Sequence, residues 1–466
     1  MNFTKISLTI GAVLFLSGCM TAPQYTRPES LIPQSWPEGD AYKQSQIEGA
    51  LQAERIKWQA VFVDENLQKV IGLSLENNRD LRTAALNVER ARALYGVQRA
   101  EMLPSVSASS AGSQKRLPAD LSSTGKRMTT EQYSVDLGIA SWEIDLFGRL
   151  RNLSKQALEE YLALEQVQRG AQTALISEVA RVYLTLAADL QNLKLAQSTL
   201  ETQKNVYLMI QQQFEKGVAT EVDLRRSQTQ VDAAKGDIAR YTQTVAQDKN
   251  ALTLLAGTSI PNDLLPSDLE SVKAPLDVSQ GLSSEILLRR PDIMAAEHQL
   301  KAASAFIGAA RAAFFPRISL TTTAGTASSA LSGLFDSGSG TWTFVPQISM
   351  PIFDARVWSA LRVSKVTREI ALTQYESTIQ AAFRDVSDAL AVRGTIDQQV
   401  ASQQAIVESA QKVYELSDKR YTQGIDGYLS VLDAQRSLYS AQQGLTLLRL
   451  AKLTNQVRLF AVLGGD

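Results

Sequence analysis

The chain has 466 residues, of which 44% are hydrophobic and 20% charged, enough apolar mass to fold and bury a core and too much for general disorder. Its 47 basic and 48 acidic residues leave a formal net charge of −1, which gives no bulk attraction to nucleic acid and excludes it as a partner class. One cysteine allows no disulfide within the chain, and one histidine leaves little with which to build metal or imidazole catalysis.

In chain order, Lys5 precedes the apolar stretch from Ile6 to Leu16, which is followed by Leu16-Ser17-Gly18-Cys19. The stretch is too short to span a bilayer as a helix, so residues 1–18 read as a secretion signal. Small residues before a cysteine resemble the bacterial lipobox, which implies signal removal and a covalent lipid on Cys19. A secreted chain has little use for one free thiol, and Met20 stands where lipoproteins retained at the inner membrane carry Asp, so sorting to the outer membrane is expected. No later segment reaches 18 consecutive apolar residues, so any crossing of a membrane must be by strands.

Residues 19–66 form a lead segment. From there the composition alternates between two kinds of stretch. Residues 67–102, 148–215, 220–256, 284–314, 355–421 and 428–462 are rich in Ala, Leu, Gln, Glu, Lys and Arg and poor in Gly and Pro, which predicts helices. The second of these would be ~100 Å long at ~1.5 Å per residue, more than a compact domain holds. Four segments at about 105–115, 131–141, 317–327 and 341–350 are rich in Ser, Thr, Val, Ile and aromatics, with alternation such as Ser134-Val135-Asp136-Leu137-Gly138-Ile139. They predict strands, joined as hairpins across the polar loops 116–130 and 328–340. Ten residues is about what a tilted strand needs to cross a bilayer. The tight turns at about 216–220 and 423–427 carry Gly217-Val218-Ala219-Thr220 and Gly424-Ile425-Asp426-Gly427. Glycine suits a left-handed helix cap there, and Thr220 with Asp223 has capping-box spacing.

The chain repeats itself. Arg79-Asp80-Leu81, Gly96 and Leu103-Pro104-Ser105-Val106-Ser107 are echoed by Pro291-Asp292-Ile293, Gly308 and Phe315-Pro316-Arg317-Ile318-Ser319. Val206-Tyr207, Phe214, Gly217-Val218 and Gln228 are echoed by Val413-Tyr414, Tyr421, Gly424-Ile425 and Gln435, at a slightly shorter offset. Duplication followed by drift explains both, giving a first repeat over 67–256, a linker over 257–283 and a second repeat over 284–466. Each repeat supplies two strands, and four strands cannot close a barrel. Open edges are excluded in lipid, so the reading requires oligomers, with three copies and twelve strands the expected count.

Together, Cys19 in its lipobox, Leu288-Arg289-Arg290-Pro291-Asp292-Ile293, Phe315-Pro316-Arg317-Ile318-Ser319-Leu320 and the run from Arg420-Tyr421 through Gly424-Ile425-Asp426 to Leu432-Asp433-Ala434-Gln435-Arg436-Ser437-Leu438 resemble the outer-membrane factors, the TolC and OprM type of exit duct. The match is greatest with the lipidated branch that serves resistance-nodulation-division pumps. The resemblance implies a mainly α protein with a membrane β-barrel part: a homotrimer whose twelve-stranded barrel continues into a long periplasmic α-helical barrel. A mixed equatorial belt would come from residues 20–66, 257–283 and the C-terminus. It implies as partners a periplasmic adaptor, an inner-membrane resistance-nodulation-division transporter and outer-membrane lipid, with no cofactor beyond the lipid on Cys19. The two turns, Gly217 to Thr220 and Gly424 to Gly427, would be the periplasmic tips that meet the adaptor, where exposed Val218 and Ile425 ask for a partner. The OprM-like pattern places a closing ring at Leu429 and Asp433, with Arg436 nearby; their spacing puts all three on one helical face. Arg226 stands at the repeat position of Asp433, so the hairpins are expected to latch by opposite charges as well as by packing. Function would be passive export of drugs and other small toxic compounds; a type I secretion-like or metal-ion duct of the same fold is the alternative.

Nothing argues for an enzyme. His298 lies beside Glu297 in a helix and reads as structural, and carboxylates fall at helical spacing with Lys and Arg, as in Asp418-Lys419-Arg420. No phosphate-binding glycine pattern occurs. A purely structural periplasmic coiled coil is the rival from another class, and it has no need of the four strands.

Overall fold

A computed structural model describes residues 22–29, 32–33, 35–42, 57–277 and 284–465; Cys19 and the signal segment lie outside the described residues. After a helical turn at Trp58–Val61 the order is α1 (Glu65–Asn77), α2 (Arg79–Ala100), β1 (Val106–Leu117), β2 (Met128–Ile144), α3 (Arg149–Glu215) and α4 (Glu221–Ala256). It continues with α5 (Pro291–Ala312), β3 (Arg317–Ser328), β4 (Gly340–Ser349), α6 (Ala355–Thr422) and α7 (Tyr428–Val462). Among the described residues no helix is long and apolar enough to cross a membrane.

Two helices predicted as continuous are broken, at equivalent places in the two repeats. The helix expected over 67–102 divides at Asn78, whose ψ of 129° ends α1. Its side-chain oxygen then caps α2 by accepting from the Leu81 N–H at 2.9 Å, while its amide donates to the Leu255 carbonyl at 2.9 Å. A side chain at Gly257, which closes α4 with φ +67°, would collide with the Asn77 carbonyl, so the end of α4 fits only against this break. In the second repeat the helix expected over 284–314 is a 3₁₀ segment, Ser284–Arg289, followed by α5 with Pro291 at its first position. Proline fits there because its missing N–H has no helical partner in any case.

The chain forms two compact units that do not follow the two repeats; each gathers segments from both. The first comprises residues up to Glu29, 87–165 and 295–375, and contains the sheet. Its strands lie in the order β1-β2-β3-β4, all antiparallel, so the two hairpins are joined side by side through β2 and β3. That central pairing was not legible in the hairpins alone. β2 is also longer than its sequence pattern, because a bulge between Ile139 and Trp142, with Ser141 at φ 54°, lets it continue to Ile144.

The register sorts the sheet into two faces. Ile144, Ile318 and Ile348 align across three strands, as do Trp142, Leu320 and Pro346, then Ile139, Thr322 and Phe344, then Leu137, Ala324 and Trp342. The bulge keeps Ile139 and Trp142 on the same side. Alternation puts Glu143, Ser319 and Gln347, then Gly138, Thr323 and Thr343, on the other. One face is apolar and aromatic, and the opposite face is mainly polar, with Val345 an apolar exception. Trp342, Phe344 and Ile348 are 77%, 59% and 69% exposed, an arrangement that water alone does not favour.

In the same unit the lead segment lies on α5. Glu297 accepts from Arg27 Nη2 at 2.6 Å and Tyr25 Oη at 3.2 Å and is bridged by Lys301 at 3.0 Å. Ala22 sits so close to Gly308 that a methyl group there would meet it at 2.7 Å.

The second unit, Ser30–Leu86, 166–294 and 376–466, is helical. Its core joins Val61, Phe62, Leu67 and Ile71 to Ile176, Tyr183 and Leu184 of α3, Leu269 and Val272 of the linker, and Val457 and Phe460 of α7. Phe62 meets Phe460 edge to face at 5.3 Å, and Trp36 stacks on Phe383 at 5.1 Å.

Candidate functional site

Both helical hairpins of the second unit turn on the same backbone device. After α3, Gly217 takes φ +75°, and the N–H groups of Gly217 and Val218 reach back to the carbonyls of Phe214 and Gln213 at 2.9 and 2.8 Å. After α6, Gly424 takes φ +73°, and the N–H groups of Gly424 and Ile425 reach those of Tyr421 and Arg420, both at 2.9 Å. Left-handed glycine lets the otherwise orphaned last carbonyls of each long helix be satisfied within the turn.

The following helices start differently. Thr220 opens α4 with a full capping box: its hydroxyl oxygen accepts from the Asp223 N–H at 3.2 Å, and its own N–H donates to the Asp223 carboxylate at 3.3 Å. Gly427 opens α7 without a side-chain cap. Its turn is closed instead by Arg420, whose Nε and Nη2 donate to the Asp426 carboxylate at 2.5 and 3.0 Å. That bidentate contact holds the Asp426 carboxyl below the ordinary carboxylate range.

The hairpins are held together by packing. Ile210, Tyr428, Val431 and Leu432 form a buried cluster, with Met209, Leu224, Tyr414 and Tyr421 around it. The Tyr421 hydroxyl donates to the Gln213 side-chain oxygen at 3.0 Å, and its ring lies 5.4 Å from that of Tyr428. The expected latch between Arg226 and Asp433 is not formed. Both are exposed, and among the described residues neither makes an ion pair. A solvated pair gains little on closing, whereas the apolar cluster gains with every group buried.

Leu429, Asp433 and Arg436 share the outward face of α7, while Tyr428, Val431, Leu432 and Gln435 turn into the packing. Val218, Ile425 and Leu429 are 76%, 56% and 49% exposed. Sequence reading missed what lies behind the outward face. Arg436 borders a recess of about 190 Å³ together with Gln203 and Gln435, both buried. Further along the first hairpin, Asp248 of α4 faces Asp189 of α3; burial, and then repulsion from Asp189, push the Asp248 carboxyl up to about 6. Neither pair has a local signal, because each draws its members from different helices.

His298 pairs through Nδ1 with Glu159 of α3 at 2.7 Å, both side chains being mostly covered. Among the described residues no three His, Cys, Asp or Glu side chains gather as metal ligands.

The family model described as outer membrane efflux protein matches residues 70–258 and 282–465. The chain is 47% identical to the antibiotic efflux pump outer membrane protein ArpC and to the toluene efflux pump outer membrane protein TtgC, both of Pseudomonas putida. In each case the match covers 99% of this chain and 96% of the relative. Among solved structures, the open-state MtrE outer membrane channel of Neisseria gonorrhoeae superposes with a TM-score of 0.84 at 36% identity, over 96% of this chain and 98% of that one. With the family model matched twice in tandem and relatives aligned along nearly the whole length, the chain belongs to the outer membrane efflux protein family.

Proposed function

We propose that this protein is the outer-membrane exit channel of a tripartite efflux pump, a passive homotrimeric duct for drugs and other small toxic organic compounds, and not an enzyme. The observation that carries the reading is the sheet: four strands with one apolar face and two unpaired edges, β1 and β4. In lipid such edges must be paired, and three copies set edge to edge close a twelve-stranded barrel with the polar face toward the lumen. The names of the antibiotic and toluene pump relatives favour organic cargo over metal ions or secreted protein.

In this reading the tips at Gly217, Val218, Ala219 and Thr220 and at Gly424, Ile425, Asp426 and Gly427 meet a periplasmic adaptor that links the duct to an inner-membrane resistance-nodulation-division transporter. Exposed Val218 and Ile425 supply its apolar contact. Three copies of Leu429 narrow the bore, and three Asp433 carboxylates with Arg436 beside them set its charge. A lipid on Cys19 supports the anchor. Ala22, three residues later, lies against Gly308 of α5, the helix that leads into β3.

Planar-bilayer recording of the purified protein tests the duct: discrete conductance steps are expected, and a pure, trimeric preparation with none overturns it. Replacing Val218 and Ile425 by Asp should abolish efflux with trimer yield intact, and normal efflux removes the tips from the contact. Mass spectrometry of the mature N-terminus should find acyl chains on Cys19; an unmodified cysteine ends that claim.

A further inference from the structure

The second hairpin carries a fault where it packs on the first. Tyr428 opens α7 and belongs to the buried cluster with Ile210, Val431 and Leu432, where only 6% of it stays exposed. Its hydroxyl is fully covered, and among the described residues it has no hydrogen-bond partner. Val206, Met209, Ala219 and Leu224 around the cluster have only apolar side chains, and the neighbouring Tyr421 gives its own hydroxyl to Gln213.

Other covered tyrosines of the same unit are paired. Tyr183, 1% exposed, donates to the Leu264 carbonyl at 3.0 Å, and Tyr439, on the same helix as Tyr428, donates to Asp237 at 3.1 Å. Two more unpaired oxygens, Oε1 of Gln203 and of Gln435, belong to residues that border the recess of about 190 Å³, which has room for water. Tyr428 does not line that recess. The first hairpin shows that the helix can begin without this tyrosine. By the offset that matches Tyr207 with Tyr414 and Gln228 with Gln435, its counterpart is Glu221, which is exposed and pairs with Arg225 at 3.3 Å.

A covered phenol without a partner has lost its bonds to water and gained none in the protein, so it raises the free energy of the packed state. Separating the hairpins returns it to water. We propose that Tyr428 biases the gate: its ring packs the hairpins together while its hydroxyl works against that packing, so the hairpin that carries Leu429 and Asp433 is poised to part from its neighbour. The inference rests on the reading of the chain as a duct closed at these tips.

Hydrogen exchange and planar-bilayer recording on the detergent-purified trimer test it. Tyr428→Phe keeps the ring and removes the unpaired group. Amide exchange over residues 431–438 should then slow about tenfold, and the open probability of the channel should fall by a similar factor. A tyrosine that served only to fill space would give no such gain. Tyr421→Phe removes a hydroxyl that is paired, so it should shift both measurements in the opposite direction. Unchanged or faster exchange in Tyr428→Phe overturns the proposal, as does a slowing of equal size in Tyr421→Phe. Slower exchange in a trimer that never conducts rejects the duct alone, and a conducting trimer with unchanged exchange rejects the role of Tyr428 alone.

Discussion

The two helical hairpins descend from one duplicated design, yet they close differently. The first tip is self-contained, with Thr220 and the Asp223 carboxylate capping each other at the start of α4. The second begins its helix on a bare glycine and relies on Arg420 reaching across the turn to Asp426. Backbone geometry at Gly217 and Gly424 is nearly the same, so the divergence lies in side chains. A local cap holds wherever the helix forms, whereas a cross-turn ion pair depends on pH and salt. The conditional closure belongs to the hairpin that carries Leu429 and Asp433 on its outward face. That is what a hairpin that must open would show, and the first hairpin would then serve as its fixed neighbour.

The sharpest test of this division is at the second hairpin. Leu429→Ala combined with Asp433→Ala should raise single-channel conductance several-fold and make cells sensitive to vancomycin. The matching pair in the first hairpin, Val222→Ala with Arg226→Ala, should change neither. Equal effects from the two pairs would erase the distinction.

Next in size is the cap. Thr220→Ala should cost about 1 kcal/mol locally, read as faster amide hydrogen exchange over residues 220–224 with the second tip unaffected.

The stem of the first hairpin offers a pH test. Asp248 holds its proton up to about 6 in the folded protein, while an unfolded carboxyl releases it near pH 4, so stability should fall as pH rises between the two. Asp248→Asn should flatten the difference in thermal unfolding between pH 4.5 and pH 7. An unchanged slope would mean that burial beside Asp189 does not hold the Asp248 proton in the folded protein.

The smallest effect should come from Asp426→Asn. Its ion pair is solvent-exposed and its carboxyl depressed, so the contribution is present above the ordinary carboxylate range and lost as pH falls through the folded value, below about pH 4. Hydrogen exchange at residues 424–430 should respond to added salt in wild type and not in the variant. The two hairpins thus loosen in opposite directions of pH.

How much of this was legible in the sequence depends on the range of the forces involved. The repeats, the long helices and the glycine turns are local, written in composition, in 3.6-residue spacing and in residues that tolerate positive φ. The alternation in β2 likewise announced a two-faced strand. The break at Pro291 was passed over when 284–314 was read as one helix, although proline belongs at the first position of a helix and not within one. The equivalent break at Asn78 was not legible, because asparagine also sits within helices and only the contact with the end of α4 makes this one a cap.

The sequence by itself therefore determined which segments are helix and strand, where the hairpins turn, and the family to which they belong. Tertiary structure alone decided that β2 pairs with β3, that the tips are joined by the expected packing without the charge latch, and that Glu143 gathers Arg149 and Arg317. The reason is physical. Propensity and capping act within a few residues, while register, burial and ion pairing are set by groups that meet only after the chain has folded, such as Glu143 and Arg317, on strands from different repeats.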